Sequence, residues 1–277
     1  VFCGHCNKCL SGRPSLCSRN DVVRSPSDPP RLRQGETPLT QLLEISSFAE
    51  QMLVHENSVV IVQAKKDIPF EQLALIGCAV TTGVGAVLNT AHVEPGSTVA
   101  VIGCGGVGLN CIQAAVIAGA SRIIAIDEVE TKLAIAQEFG ATDVIHSSDN
   151  HVVARVRELT AGGVDYSFEA IGKKQTVEQS FDMLGAGGIS TVIGLPPKDT
   201  KIELDANAFI DERRIQGSNM GSNRFRIDMP RYIALYHQGR LKLDELVSQR
   251  LRLDQINDAF EDMKQGHLIR SVVVFAE

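Results

Sequence analysis

The 277-residue sequence has no apolar run of the ~18–20 residues needed to cross a bilayer, and it does not open with a basic segment followed by an apolar signal core. It therefore reads as a soluble chain with no membrane association. A basic excess is missing too: 27 Lys and Arg stand against 33 Asp and Glu, a net charge of -6, and no basic stripe is visible. Nucleic-acid binding normally announces itself as such a stripe and is disfavoured. Solenoid-type repeats and low-complexity tracts are absent. Seven cysteines in a chain of this length do not make a small disulfide scaffold, and 44% hydrophobic with 22% charged residues exclude disorder and fibrous classes. An initiator Met is lacking as well. Val1-Phe2-Cys3 leads straight into a cysteine-dense loop, so the chain is expected to be cut at its front.

What is present divides along the chain. At roughly 100–200 residues per domain, the length fits one large domain or two ordinary ones. Residues 1–40, rich in Cys, Gly, Pro, Ser and Arg, predict a long irregular lobe, and Ser25-Pro-Ser-Asp-Pro-Pro30 cannot sustain a helix or a central strand. Phe48–Val54 and Val59–Val62 read as strands of an antiparallel unit. From residue 93 onward strands and helices alternate. Strands are predicted at 97–102, 122–126, 143–145, 164–168 and 188–193, with helices at 108–119, 130–139, 151–160 and 174–184. That alternation is the signature of a doubly wound α/β sheet. The tail predicts helices at Pro230–Gln238 and Leu253–Gln265 and a strand at Ser271–Phe275, expected to return to the strands near 48–62.

Two motifs carry chemistry. In Cys3-Gly-His-Cys6-Asn-Lys-Cys9, two CxxC steps share a central cysteine, and Cys17 follows eight residues on. Such spacing places four thiolates around one point, which suits tetrahedral Zn²⁺ with no open position, a structural rather than catalytic site. Disulfides fit poorly, because CxxCxxC forces adjacent strained loops and nothing marks the chain as secreted. An iron–sulfur cluster would use the same ligands, but the spacing is not a ferredoxin run. His5 and His55 read as ordinary polar histidines.

The second motif is Gly103-Cys104-Gly105-Gly106-Val107-Gly108. A lone GxGxxG is weak; this one follows a predicted strand, opens a helix, and has Asp127 at the end of the next strand. Gly103 permits the tight turn, Gly105 lets the backbone approach a pyrophosphate, and Gly108 lets helix and strand pack closely. The pyrophosphate would sit at the helix N-terminus. Asp127 would accept the adenosine ribose hydroxyls and repel a 2′-phosphate, favouring NAD over NADP. Cys104 and Cys111 read as buried small hydrophobes, as Cys78 does when taken alone.

Together these residues resemble the zinc-containing medium-chain alcohol dehydrogenases. The resemblance runs collinearly through the Cys3–Cys17 lobe, Ile76-Gly-Cys78-x-x-x-Thr82-Gly, the Gly103–Gly108 fingerprint with Asp127 and Lys132, Val164–Gly172, Gly194-Leu-Pro-Pro197 and Ile269–Phe275. It implies an α/β Rossmann domain at about 80–219, flanked by the remaining parts of a GroES-like β-barrel catalytic domain, 1–79 and 220–277. Cys78 matches one ligand of the catalytic zinc, whose other two ligands belong to motifs not in this sequence. Thr82 and Val107 match positions flanking the nicotinamide, and Ile193, Ser218 and Met220 match its carboxamide contacts. Lys132 accompanies Asp127 at the ribose, and Arg270 matches a pyrophosphate-binding arginine.

The implied function is NAD-linked hydride transfer from a small-molecule alcohol to give an aldehyde or ketone, in a cytoplasmic homodimer or higher homo-oligomer. Glutathione-dependent formaldehyde dehydrogenases share these motifs, and polyol or threonine dehydrogenases fit less well because of the long lobe after Cys17. A chain missing two catalytic ligands can also be a zinc- and NAD-binding fragment without turnover.

Overall fold

The computed structural model describes residues 1–18, 21–25, 27–62, 68–148, 151–266 and 268–275. The N-terminal lobe holds a short helix, α1 (Asn7–Leu10), and a hairpin of β1 (Leu32–Gln34) and β2 (Thr37–Leu39). The hairpin corrects the expectation of an irregular lobe. Gly35 takes φ 59° and turns the chain, and Pro38 is tolerated because both strands are exposed edges. The strands expected at 48–54 and 59–62 do not form. Each needs a partner ladder; the backbone of these segments makes only a turn bond, Val59 N–H to Glu56 O, and one with a side chain, Leu53 O accepting from Arg31, among the described residues.

Next comes one helical rod, Phe70–Ala91, built from α2 (Phe70–Leu75), a π-helical turn (Ile76–Val80), α3 (Thr81–Gly85) and a second π-helical turn (Ala86–Ala91). Its 22 residues are long and apolar enough, by length and composition, to cross a membrane, so the reading of the sequence as lacking such a segment is corrected. Gly77, Thr81, Thr82, Gly83 and Gly85 interrupt the apolar letters and hid the window. Here its apolar face packs into the core instead: Leu75, Ile76, Val80, Val84 and Val87 join the cluster containing Leu109 and Ile112 of α4 (Gly106–Ala118).

The remaining elements are β3 (Thr98–Ile102), β4 (Arg122–Asp127), α5 (Glu130–Glu138), β5 (Asp143–His146), α6 (Val152–Leu159), β6 (Val164–Glu169), α7 (Lys174–Asp182), β7 (Leu184–Val192) and β8 (Arg214–Gly217). Their six strands form one parallel sheet in the order β5-β4-β3-β6-β7-β8. Both faces are covered. Val99 and Val101 of β3 with Ile123 and Ala125 of β4 enter the core shared with α4 and α5, while Ala100, Ile102, Ile124 and Ile126 enter the one shared with α6. Alternate residues thus serve opposite faces, which is why these strands read as continuous apolar runs. The chain winds outward one way from β3 and the other way from β6. Their carboxyl ends therefore border the crevice where doubly wound sheets bind ligands.

The tail departs from expectation. Helix α8 (Phe225–His237) begins five residues before Pro230, which lies inside it and not at its first turn. The segment after α9 (Ile256–Gln265) forms β10 (Arg270–Val273), which pairs in parallel with β9 (Val247–Leu251) and not with residues 48–62. A βαβ unit within the tail satisfies that apolar strand locally. The N-terminal lobe is tied to α8 by Phe2 stacked on Phe225 at 6.0 Å and by Arg226 donating to Asn57 at 2.7 Å.

Candidate functional site

The four lobe cysteines converge. Sγ–Sγ separations are 3.9 Å (Cys3–Cys9), 3.6 Å (Cys6–Cys9), 3.8 Å (Cys6–Cys17) and 3.6 Å (Cys17–Cys3), and all four sulfurs lie within 4.8 Å of one another. A tetrahedron with Zn–S bonds of about 2.3 Å has edges of about 3.8 Å, so the cage matches zinc. Backbone N–H groups of Cys3 and Cys6 approach the Sγ atoms of Cys17 and Cys3 at 3.3 Å. The Cys9 backbone N–H lowers the Cys6 thiol to about 6, whereas burial raises Cys9 to about 12. Without a cation the cluster keeps protons that a dication would displace. His5 instead pairs with Asp21 at 2.5 Å on the surface, and His55 Nδ1 accepts the Asn57 N–H at 3.1 Å.

The glycine-rich turn lies at the carboxyl end of β3. Its helix starts at Gly106, two residues before the expected start, so Val107 and Gly108 lie in the first turn. Gly103 takes φ 94°, and a Cβ on Gly108 would stand 1.7 Å from the Gly103 carbonyl oxygen. Asp127, almost fully buried, accepts the Cys104 N–H at 2.7 Å through Oδ2 and the Val129 N–H at 3.0 Å through Oδ1. Its carboxylate shapes the turn besides facing a cavity of about 370 Å³ lined by Gly103, Gly105, Asp127, Lys132, Ile171 and Thr176. Cys104 and Cys111 are buried, and burial raises both thiols.

Arg270 closes over the helix start: a Cβ on Gly106 would meet its Nε at 2.3 Å. That Nε is buried and has no hydrogen-bond partner among the described residues. A guanidinium with an unused donor, set against the free N–H groups of α4, forms an anion cradle.

The other expected residues fall into two groups. Thr82 Oγ1 lies 3.8 Å from Met220 Sδ. Ile193 and Ser218 follow the paired ends of β7 and β8, where the Ile193 N–H donates to Glu169 O at 2.8 Å and the Ser218 N–H to Val192 O at 2.9 Å. Cys78 is exposed on the 70–91 rod, and no ligand cluster among the described residues includes it. Sequence reasoning missed Glu169, fully buried at the end of β6, whose Oε1 holds the Ile171 and Gly172 N–H groups at 2.9 and 2.7 Å. It also missed a buried polar network around Asn223. A lone Asn89 in an apolar helical stretch was the available signal.

A family model described as zinc-binding dehydrogenase matches residues 106–238. A probable S-(hydroxymethyl)glutathione dehydrogenase 1 of Schizosaccharomyces pombe is 38% identical over 98% of this chain and 73% of its own length. The chain belongs to the zinc-containing medium-chain alcohol dehydrogenase family. An alcohol dehydrogenase zinc-binding domain protein from Burkholderia ambifaria superposes with a TM-score of 0.92 at 35% identity, covering all of this chain and 76% of that one. Benzyl alcohol dehydrogenase from Acinetobacter calcoaceticus gives 0.89 at 35% identity over the same shares. As a zinc-type alcohol dehydrogenase, the chain is an oxidoreductase with the Rossmann-type parallel sheet that the sequence implied.

Proposed function

We propose that this alcohol dehydrogenase is NAD-linked and oxidises a small alcohol to an aldehyde or ketone. The observation that carries the reading is the unpartnered Arg270 Nε over Gly106 beside the Asp127-lined cavity. In this reading the start of α4 and Arg270 hold the pyrophosphate, and Asp127 with Lys132 receives the adenosine ribose. Its carboxylate would repel a 2′-phosphate. Thr82, Val107, Ile193, Ser218 and Met220 flank the nicotinamide and its carboxamide. When bound, the nicotinamide accepts the hydride removed from the alcohol carbon. Cys3, Cys6, Cys9 and Cys17 hold a structural zinc that fixes the lobe. Cys78 offers one thiolate to a catalytic zinc, but one ligand does not make a site, and no step is derived through that metal.

Titration with NADH and NADPH tests the reading, with NADH expected to bind more tightly; a chain that binds neither overturns it. Oxidation of a panel of primary alcohols, followed by NADH absorbance, tests turnover. The Schizosaccharomyces pombe relative favours a second substrate, S-(hydroxymethyl)glutathione. Turnover of formaldehyde with NAD only when glutathione is present would select it.

A further inference from the structure

We propose that Asn223, held by Tyr232 and Asn89, positions the nicotinamide end of the cofactor site by fastening the Ser218–Ser222 loop to the 70–91 rod. This rests on the NAD-linked reading above. Met220, Gly221 and Ser222 take φ values of 50°, 64° and 50°, three successive left-handed residues of which two carry side chains. Side-chain-bearing residues persist there only when their surroundings over-determine them.

Asn223 supplies that constraint. It is fully buried, and its Nδ2 donates at 2.7 Å both to Met220 O and to Thr81 O, so one amide joins the loop to the residue preceding Thr82. Both partners are carbonyls, which fixes the orientation of the amide and leaves Oδ1 as acceptor. That oxygen receives the Tyr232 hydroxyl and, at 3.4 Å, Asn89 Nδ2. Asp228, 2% exposed, takes Asn89 Nδ2 at 3.3 Å and the Arg224 N–H at 2.8 Å, completing the set. Apolar packing would hold the loop without direction, whereas these bonds fix its register against the rod.

The residues of this network do not line the adenosine-side cavity. Asn89 and Tyr232 are also outside every contact assigned to the cofactor. Loosening the network therefore acts on one end of the dinucleotide, which a general loss of stability would not do. The test is Tyr232→Phe, with Asn89→Ala as the second variant. Calorimetric affinities are measured for NADH and for ADP-ribose, which has the adenosine, pyrophosphate and second ribose but no nicotinamide. Loss of one buried hydrogen bond predicts NADH binding weakened about fivefold with ADP-ribose unchanged within about twofold. Equal weakening of both ligands, or no change in either, overturns the positioning role while leaving NAD binding intact. A parent chain that binds neither ligand overturns the NAD-linked reading itself, and this inference with it.

Discussion

Two alanine substitutions in the glycine-rich turn should separate folding from binding. A Cβ on Gly108 would sit 1.7 Å from the Gly103 carbonyl oxygen and 2.9 Å from its carbon. Real Cβ contacts essentially begin at 3.0 Å, so α4 and the turn must part by about 1.3 Å. Overpacking costs ~1–3 kcal/mol, and backbone stands on both sides here, which puts Gly108→Ala at about 3 kcal/mol. That corresponds to a fall in Tm of about 6–12 °C. Gly105 differs. Its φ of -77° and ψ of -172° suit any residue, and a Cβ there meets nothing within 4 Å. Gly105→Ala should keep stability within about 0.5 kcal/mol. The space it fills opens on the cavity before α4, so it should weaken NADH binding at least about tenfold, or 1.4 kcal/mol. Thermal melts and NADH titration of the two variants read both effects. A Gly108→Ala melt within a degree or two of the parent refutes the packing argument, and parental NADH affinity in Gly105→Ala refutes the placement of the pyrophosphate.

Metal analysis should find one zinc per chain, lost in Cys9→Ser; two zincs would mean that Cys78 had acquired partners after all. Asp127→Asn should narrow the preference for NADH over NADPH and also lower stability by about 1–3 kcal/mol, because the buried Cys104 N–H and the part-buried Val129 N–H lose a charged acceptor. Unchanged discrimination in that variant would remove Asp127 from the ribose. Two hydrogen bonds from Arg250, at 2.8 and 2.7 Å, hold Glu71 below the ordinary carboxylate range. A lowered carboxylate contributes stability above its unfolded pKa and loses it as pH falls through the folded value. Urea midpoints should therefore drop with acid below that ordinary range, and less steeply in Glu71→Gln; identical pH profiles would show that this exposed pair contributes nothing.

The centre of the sheet was legible because β3 and β4 are buried on both faces and leave unbroken apolar runs, and the helices that follow them close at Gly119 and Gly140. The cysteine cage was legible because four cysteines at short spacing admit few geometries. Other parts carried no comparable local signal. Pairing of β10 with β9 depends on a βαβ return that residues 271–275 cannot specify, since any apolar strand fits any vacant edge. Pro230 marked a helix start by propensity, yet α8 begins at Phe225, where the ring of Phe2 packs. The 70–91 rod was hidden by its small residues, and those residues let it approach α4 and the Met220 loop.

Asp127 shows why a motif read as recognition is also architecture. A ribose-binding carboxylate and a plain turn carboxylate look like alternatives, but the two oxygens of Asp127 already accept the Cys104 N–H of the glycine-rich turn and the Val129 N–H of the loop after β4. Each carboxylate oxygen has a second lone pair, so both roles fit on one side chain. The bonds to Cys104 and Val129 hold the carboxylate at the cavity wall before any ligand arrives. If a ribose binds there as proposed, it would need no rearrangement, and removal of the charge would disturb the turn and the ligand together. In the proposed reading, cofactor preference would be coupled at this position to the stability of the glycine-rich turn, and changing it would need a replacement that still caps both N–H groups.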